Sequence, residues 1–205
     1  MIFRTILFFS LFVSHTLFSQ VCDTILKNEV YESCISYQLR MPIQVKYKLY
    51  KGGGDCSRED FRFSSEIKNI SGDTEYTRSG YDRGHLVNAE DFAYDCTKDE
   101  LTFRYYNCLP QTPNLNRGVW KKWENTVRNY SQTDSLLIIC GGIWSESNIK
   151  TNRLNVPVYC WKVVMSLSTH QVKHVLLFTN EKKGSSVREV SLKELEGLLK
   201  YKLEL

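Results

Sequence analysis

Tyr81-Asp-Arg-Gly-His85 is the stretch of the chain on which the prediction of fold and chemistry depends. His85 offers a general base near neutral pH, and Arg83 offers a planar fork for a phosphate. In a β-strand these two side chains point to the same face, because side chains alternate. Gly84 between them leaves the backbone uncovered, which would suit a bulky ligand. Taken alone, such a segment is more often a structural strand that carries an incidental histidine.

A second segment, residues 116–130, predicts a helix with one apolar stripe. The stripe includes Trp120 and Trp123, and we expect both to pack in the core rather than to stack on nucleic-acid bases. Asn116, at the start of this helix, could simply cap it. Glu124 and Arg128 lie one turn apart and could form a solvated ion pair.

Ideal helix geometry constrains any shared ligand of Asn116 and Glu124. Eight residues span ~12 Å of an ideal helix and rotate the second side chain by about 80°. The two side chains could therefore bind one ion directly only if the start of the helix were distorted. We expect Glu124 to act through water.

The rest of the chain predicts an α+β fold, with a largely antiparallel sheet flanked by helices. No repeat or linker divides it, so residues 21–205 are expected to form a single domain. Capping boxes at Thr97 and Ser191 predict a short helix and a C-terminal helix, and residues 69–80 are expected to be irregular. Strands are predicted at residues 43–50, 136–140, 158–167 and 172–179.

Residues 1–20 have the composition of a secretory signal peptide, with an apolar run from Ile6 to Val13 and Ser19 near a cleavage point. The alternative is an uncleaved N-terminal anchor, although the run is shorter than the ~20 residues that span a bilayer. We therefore expect a secreted or periplasmic protein without stable membrane association. Loss of Arg4 with the peptide leaves a net charge of about +3, which permits a polyanionic partner without demanding one.

Seven cysteines remain after removal of the signal peptide, so at least one thiol is free or pairs between chains. Export favours disulfides. Cys108 is the candidate for the free thiol, because it lies in an apolar run beside the predicted site. The absence of any CxxC pair argues against a zinc site. The pairings Cys22–Cys34, Cys56–Cys96 and Cys140–Cys160 are guesses among fifteen possible connectivities.

The segments around His85 and Asn116 form one spaced pattern of polar residues when they are read together. Asp82-Arg-Gly-His85 is followed by Asn107 shortly before Pro110-Gln111, by Asn116-x-Gly-x-Trp120, and then by Glu124. This pattern resembles the DNA/RNA non-specific endonuclease family, whose DRGH-type site is a ββα-metal, or His-Me finger, motif. The resemblance runs from about residue 43 to the C-terminal helix, with its specific part in residues 81–128.

The resemblance implies a role for each matching residue. His85 would be the general base that takes a proton from the attacking water. Asn116 would be the one direct protein ligand of a divalent metal, expected to be Mg²⁺, with Mn²⁺ or another divalent cation as alternatives. Glu124 would hold a metal-bound water. Mg²⁺ keeps several of its waters, so a site with a single protein ligand suits it.

The substrate side of the site is also implied by the resemblance. Arg83 and Arg128 match positions that contact phosphate, Asn107 helps to set the substrate-binding site, and Asp82 orients its neighbours. Many members use a further upstream arginine, for which Arg58 and Arg62 are both candidates.

One position departs from the family pattern. Asn88 stands where the family commonly has proline, three residues after the histidine. Asparagine can make a turn through its own side chain. We expect a change in the detail of this loop rather than a loss of activity.

The implied activity is hydrolysis of DNA and RNA to 5′-phosphate ends. Sequence preference should be weak, because the site addresses phosphate and metal, which carry no base information. One alternative is an inactive nucleic-acid-binding protein, which loss of His85, Asn116 or Glu124 would indicate; all three are present. Another is a phosphodiesterase for small nucleotides or phospholipid head groups, which would need a closed pocket instead of an open basic groove. An inhibitor protein and the oligomeric state are left open.

Overall fold

A computed structural model describes residues 22–148 and 154–205 of the chain. The predicted signal peptide, residues 1–20, lies outside the described residues. Within them, no helix is long and apolar enough to cross a membrane.

A large antiparallel sheet dominates the described structure, which confirms the predicted α+β class. Seven strands lie in the order β1-β2-β3-β6-β7-β8-β9, and β4 pairs with β5 in a separate two-stranded hairpin. All neighbouring strands run antiparallel. The strands are β1 (Thr24–Lys27), β2 (Tyr31–Ser36), β3 (Met41–Leu49), β4 (Asp82–His85), β5 (Cys108–Gln111), β6 (Leu136–Ile143), β7 (Tyr159–Ser166), β8 (Val172–Thr179) and β9 (Val187–Glu189).

The four predicted sheet strands are confirmed as β3, β6, β7 and β8, with boundaries that shift by up to three residues. The strand β6 is buried on both faces along its whole length, which explains its continuous apolar run. The strand β2 escaped prediction because Ser33 and Ser36 interrupt its apolar pattern although both are buried. Ser33 is satisfied by donating to the carbonyl of Tyr106 at 2.5 Å, a contact 73 residues away in sequence.

Short helices connect the strands, and two of them differ from prediction. The helix α1 (Asp73–Tyr76) lies inside the segment expected to be irregular. The helix α2 (Cys96–Leu101) starts before Thr97, because the carboxylate of Asp95 accepts from the backbone N–H groups of residues 97 and 98. The C-terminal helix α4 (Leu192–Leu199) begins as predicted after Ser191, whose hydroxyl accepts from the N–H of Glu194 at 3.1 Å.

The two faces of the large sheet have different covers. On one face, alternate residues of β6, β7 and β8 pack against Leu195 and Leu199 of α4. On the other face, the remaining alternate residues pack against Leu86 and Leu109 of the hairpin and against Trp120. The second face therefore positions the elements that carry the candidate site.

Two predicted disulfides and the predicted free thiol are confirmed. Cys22 is bonded to Cys34, Cys56 to Cys96, and Cys108 is free and buried.

The third predicted pairing, Cys140–Cys160, is wrong, because both thiols are free and buried. In the register of β6 and β7, Cys140 faces Lys162 and Cys160 faces Gly142. The two cysteines are therefore diagonal neighbours. Such pairs lie about 7–8 Å apart, beyond the roughly 4.4–6.8 Å between the Cα atoms of a disulfide.

Candidate active site

The β4–β5 hairpin carries His85, the last residue of β4. His85 pairs with Cys108 in the hairpin register, and Gly84 pairs with Leu109. A Cβ atom at Gly84 would lie 2.3 Å from the side-chain oxygen of Gln111. The glycine is therefore required by the buried Gln111 side chain, and our expectation that it leaves room for a ligand is wrong.

The backbone around His85 is fixed from two sides. The indole N–H of Trp120 donates to the carbonyl of His85 at 3.2 Å. Asn107 is fully buried, accepts from the N–H of Val87 at 2.9 Å, and donates to the carbonyls of Val87 and Thr102. Asn107 therefore supports the chain just after His85 from within the protein and does not line the cleft.

The imidazole of His85 lies among aromatic rings at the edge of a cleft. The ring centres of Phe63 and Phe103 are each 4.9 Å from that of His85. Burial, helped by the positive charge of Arg58, lowers the pKa of His85 to about 4. Its Nε2 atom has no hydrogen-bond partner among the described residues. The imidazole is therefore neutral near pH 7, in the form that can accept a proton.

The helix that faces the hairpin starts with a distortion. Residues Leu115–Trp120 form a wide π-helical turn, and Gly118 has non-helical backbone angles of φ −105° and ψ −110°. A regular helix, α3 (Lys121–Ser131), follows. The prediction of one continuous helix from Asn116 is therefore wrong at its first turn, and the ideal spacing between Asn116 and Glu124 does not apply.

Asn116 lies within this wide turn, and residue 114 takes the flanking N-cap position. The Nδ2 atom of Asn116 donates to the carboxylate of Asp82 at 3.0 Å. Arg117 grips the same carboxylate with two bonds, at 2.8 and 2.7 Å. Burial alone would raise the pKa of Asp82, but the bonds from Arg117 and Asn116 hold it below its usual value. Asp82 thus orients Asn116, as the resemblance implies, and leaves the Oδ1 atom of Asn116 as a free acceptor among the described residues.

Glu124 lies on the first turns of α3 and is only 7% exposed. Burial raises its pKa to about 7, against the opposing effects of the positive Lys162 and of a hydrogen bond from Asn88. No ion pair joins Glu124 to Arg128 among the described residues. The solvated pair that the spacing allowed is therefore not formed.

Arg128 bonds to three other groups instead. Its Nε donates to Asp91 at 2.9 Å, its Nη2 to Asn88 at 2.7 Å, and its Nη1 to Asn125 at 3.0 Å. The side chain of Asn88 does not cap the turn that follows it, contrary to our expectation for this loop. It bonds across to α3.

A buried lysine beneath the site went unnoticed as a site residue. Lys162 of β7 is 1% exposed, and its Nζ lies 4.4 Å from the centre of the Trp120 ring. Burial raises the pKa of Asp91 to about 6, as it raises that of Glu124. The positive charge of Lys162 acts against this rise at both carboxyl groups. A lysine inside an otherwise apolar strand is the sequence signal that could have identified it, because lysine is almost never fully buried without a partner.

The structure distinguishes the two candidate upstream arginines. Arg58 borders the cleft and bonds to Asp99 at 2.6 Å and to Glu90 at 2.9 Å. Its Nη2 atom is buried without a hydrogen-bond partner in the described part of the chain. Arg62 is exposed and donates only to nearby backbone carbonyls. Of the two candidates, Arg58 is therefore the one that borders the cleft.

Arg83 lies next to the cleft but outside its lining. Its guanidinium donates to Asp73 at 2.5 Å and to the Tyr105 hydroxyl at 3.1 Å. It also lies 6.0 Å from the centre of Phe63, the ring that contacts His85. Arg83 and His85 thus share a strand face as predicted, although the structure does not bring Arg83 into the cleft.

The cleft itself has a volume of about 660 Å³. It brings together most of the predicted site and excludes Arg83 and Asn107. The predicted residues and loop positions that line it are Arg58, His85, Asn88, Asn116, Glu124 and Arg128. Two antiparallel strands, a helix and the loop that carries Arg58 thus place a neutral histidine, an oriented amide, a buried carboxylate and two guanidinium groups around one space.

This arrangement is a ββα-metal nuclease fold, and comparison with known proteins agrees. The sequence profile of the DNA/RNA non-specific endonuclease family matches residues 10–202. The chain belongs to that family, which consists of divalent-metal-dependent nucleases.

Individual relatives match about half of this chain. A nuclease of Nostoc sp. is 35% identical over 95 residues, which are 46% of this chain and 35% of the relative. Human mitochondrial endonuclease G is 29% identical over 101 residues, which are 48% of this chain and 34% of the relative. The matches thus span only about a third of the length of these relatives.

The fold has a solved counterpart. A crystal structure described as the EndoG/EndoGI complex, solved for the mechanism of EndoG inhibition, aligns with a TM-score of 0.74. The alignment covers 89% of this chain and 86% of that chain at 22% identity. At this identity the likeness concerns the fold.

The donor set of the cleft fits a hard divalent ion that keeps most of its waters. Among the described residues, no group of three or more His, Cys, Asp or Glu side chains could hold a metal. The oxygen of Asn116 is available beside Asp82, and the carboxylate of Glu124 borders the same space. Oxygen donors with few direct protein ligands suit Mg²⁺, which dehydrates reluctantly.

Proposed function

We propose that this protein is a divalent-metal-dependent endonuclease that hydrolyses DNA and RNA with little sequence preference and leaves 5′-phosphate ends. One observation carries the proposal: a neutral His85 from the hairpin and an oriented Asn116 from the helix start border the same cleft. Phosphodiester hydrolysis needs a base for the nucleophile and charge neutralisation at the phosphate. Neither residue alone would supply both.

His85 acts on the attacking water. Its neutral imidazole accepts a proton as the water oxygen attacks phosphorus and the bond to the 3′ oxygen breaks. The phosphate stays on the 5′ oxygen, and the 3′ oxygen leaves with a proton. When bound, Mg²⁺ would neutralise charge on the phosphate and supply an acidified water for the leaving oxygen. Asn116 would hold the ion, and Glu124 would hold one of its waters.

Arg58 and Arg128 face the phosphate from the remaining sides of the cleft. Each guanidinium is anchored by a buried carboxylate, Asp99 for Arg58 and Asp91 for Arg128. These anchors fix the orientation of groups that bind phosphate but read no base. Among the described residues that line the cleft there is no phenylalanine, tyrosine or tryptophan on which a base could stack. Groups that address phosphate alone support the proposal of weak sequence preference on DNA and RNA alike.

The direct test is cleavage by the purified protein lacking residues 1–20. Supercoiled plasmid, RNA and the small diester bis(p-nitrophenyl) phosphate are each incubated with Mg²⁺, with Mn²⁺ and with chelator. We expect both polymers to be cut with metal and spared with chelator, and the ends to carry 5′-phosphate. Intact polymers in the presence of metal would refute the nuclease. Hydrolysis of the small diester alone would instead identify a small-molecule phosphodiesterase.

We also propose export to the periplasm or the medium. The composition of residues 1–20 supports it, and so do the two disulfides, which persist in oxidising compartments. Mass spectrometry of the native protein should find an N-terminus near residue 21 in the exported fraction. An intact N-terminus confined to the cytoplasm would contradict this proposal.

A further inference from the structure

The Arg58 segment, residues 52–63, reaches the cleft without a helix or strand of its own. Its Arg58 borders the cleft, and the ring centre of its Phe63 lies 4.9 Å from that of His85. Among the described residues, only Arg58 provides side-chain hydrogen bonds from residues 57–63 to more distant parts of the chain. The position of this segment beside the site therefore depends on few attachments.

One of these attachments is covalent. Cys56 is bonded to Cys96, the first residue of α2, and their Cα atoms are 5.4 Å apart. The backbone N–H of Cys56 also donates to the carbonyl of Ala93 at 3.2 Å. The disulfide joins positions 40 residues apart in sequence, and it lies only two residues before Arg58. It therefore restricts the part of the segment that carries the guanidinium.

A second attachment is the ion pair between Arg58 and α2. The Nε atom of Arg58 donates to Asp99 at 2.6 Å, and the Asp99 side chain is fully buried. Asp99 follows Cys96 by three residues, so the two side chains lie one turn apart on the same face of α2. The disulfide and the ion pair thus join the same short stretch of the segment to the same helix.

The ion pair gains from the neighbouring covalent bond. The side chain of Arg58 is 29% exposed, so water competes for its hydrogen bonds. An ion pair that holds a loop must also offset the conformational entropy that the loop loses. A crosslink two residues away restricts the loop in advance, and it keeps Arg58 at a high effective concentration beside Asp99. Without the crosslink, Arg58 should spend part of its time away from the cleft.

We propose that the Cys56–Cys96 disulfide is a positioning crosslink of the active site, which holds Arg58 at the side of the cleft where the phosphate binds. This proposal rests on the proposed function. It assigns the disulfide a part in cleavage in addition to its stabilisation of the fold, and Arg58 is the group through which it acts.

The test compares Cys56→Ser/Cys96→Ser with a matched control, Cys22→Ser/Cys34→Ser. The control removes the other disulfide, whose residues do not line the cleft. Both variants should unfold at lower urea concentration than the parent. In plasmid cleavage well below these midpoints, the control should keep the parent rate. Cys56→Ser/Cys96→Ser should lose about 10-fold in kcat/KM, a part of what losing a hydrogen bond to a charged group costs.

A chemical arm removes the crosslink from a chain that has already folded. The Cys22→Ser/Cys34→Ser protein is treated with tris(2-carboxyethyl)phosphine, which breaks the remaining disulfide into two thiols. The phosphine is oxidised to its oxide with the oxygen of a water molecule, whose two protons go to the sulfurs. The rate should fall by the same factor as in Cys56→Ser/Cys96→Ser, and reoxidation with oxidised glutathione should restore it.

A double-mutant cycle with Arg58→Ala distinguishes positioning from a general loosening of the fold. If the crosslink acts through Arg58, Cys56→Ser/Cys96→Ser should cost little further activity in the Arg58→Ala background. Three results would overturn the proposal: parent activity without the crosslink, equal losses in the two disulfide variants, or an undiminished loss in the Arg58→Ala background. An inactive parent would instead overturn the proposed function, so the two failures are distinguishable.

Discussion

Both faces of the seven-stranded sheet are packed with apolar side chains, but they differ in the charged groups that they bury. Toward α4, the sheet presents aliphatic side chains to Leu195 and Leu199. Toward α3 and the hairpin, it presents Lys162, above which Asp91 and Glu124 are buried. Burying charges costs free energy that their mutual attraction repays only in part, whereas aliphatic burial is favourable throughout. Apolar burial should therefore stabilise both faces, whereas the charged cluster of the second face should supply chemistry at some expense of stability.

The largest expected effect that separates the faces comes from Glu124→Gln. Loss of the carboxylate should slow plasmid cleavage by about 100-fold or more, as losses of electrostatic groups at active sites do. The pKa of Glu124, raised to about 7 by burial, means that the fold disfavours its charge. The variant should therefore be at least as stable as the parent in urea. Glu29→Gln, at an exposed position, is the matched control, and a destabilised but active Glu124→Gln would contradict the comparison.

The reverse effect is expected from Leu195→Ala on the other face. Leu195 is fully buried between α4 and the sheet, and such truncations cost about 2–5 kcal/mol. The free energy of unfolding should fall by this amount in urea titrations. Cleavage by the folded protein, measured well below its unfolding midpoint, should match that of the parent. If Leu195→Ala slowed cleavage as much as Glu124→Gln does, the two faces could not be assigned separate roles.

A smaller effect should appear in the pH dependence of stability. The unfolded imidazole of His85 binds a proton near pH 6.5, but the folded one binds it only near pH 4. The stability due to the neutral folded form is present above pH 6.5 and is lost as the pH falls toward 4, by at most about 3 kcal/mol. The pKa of Asp91 is raised to about 6 in the folded protein. Asp91 therefore binds its proton more tightly when folded, and its contribution to stability grows as the pH falls, opposite to that of His85.

The measurement is the difference in unfolding free energy between the parent and His85→Phe at about pH 7.5 and about pH 4.5. At the lower pH the parent should lose stability relative to the variant, because only the parent carries the titrating His85. A constant difference would contradict the predicted shift.

Much of the sheet could be predicted from the local sequence pattern, because its central strands are apolar runs over most of their length. The strand β8 was predicted at its observed boundaries, and α4 follows the cap at Ser191. The strands β1, β2 and β9 could not be predicted in this way. They lie at or near the sheet edges, and partners distant in sequence stabilise polar residues such as Ser33 within them.

The candidate site shows the same limit. Motif spacing brought His85, Asn116, Glu124 and Arg128 together correctly at one cleft. It could not show that Asn107 is fully buried, because burial depends on residues far along the chain. The pairing of Cys140 with Cys160 failed for a related reason, since a shift of two residues in strand register separates the thiols.

The activity of His85→Ala tests the central claim most directly, because this histidine joins the hairpin to the proposed chemistry. Single-turnover cleavage of plasmid with saturating Mg²⁺ is measured for parent and variant, with circular dichroism to verify the fold. A positioned general base contributes about 10²- to 10⁴-fold, and a folded variant should lose that factor on DNA and RNA alike. A folded His85→Ala that cuts as fast as the parent would show that this cleft is not the catalytic site.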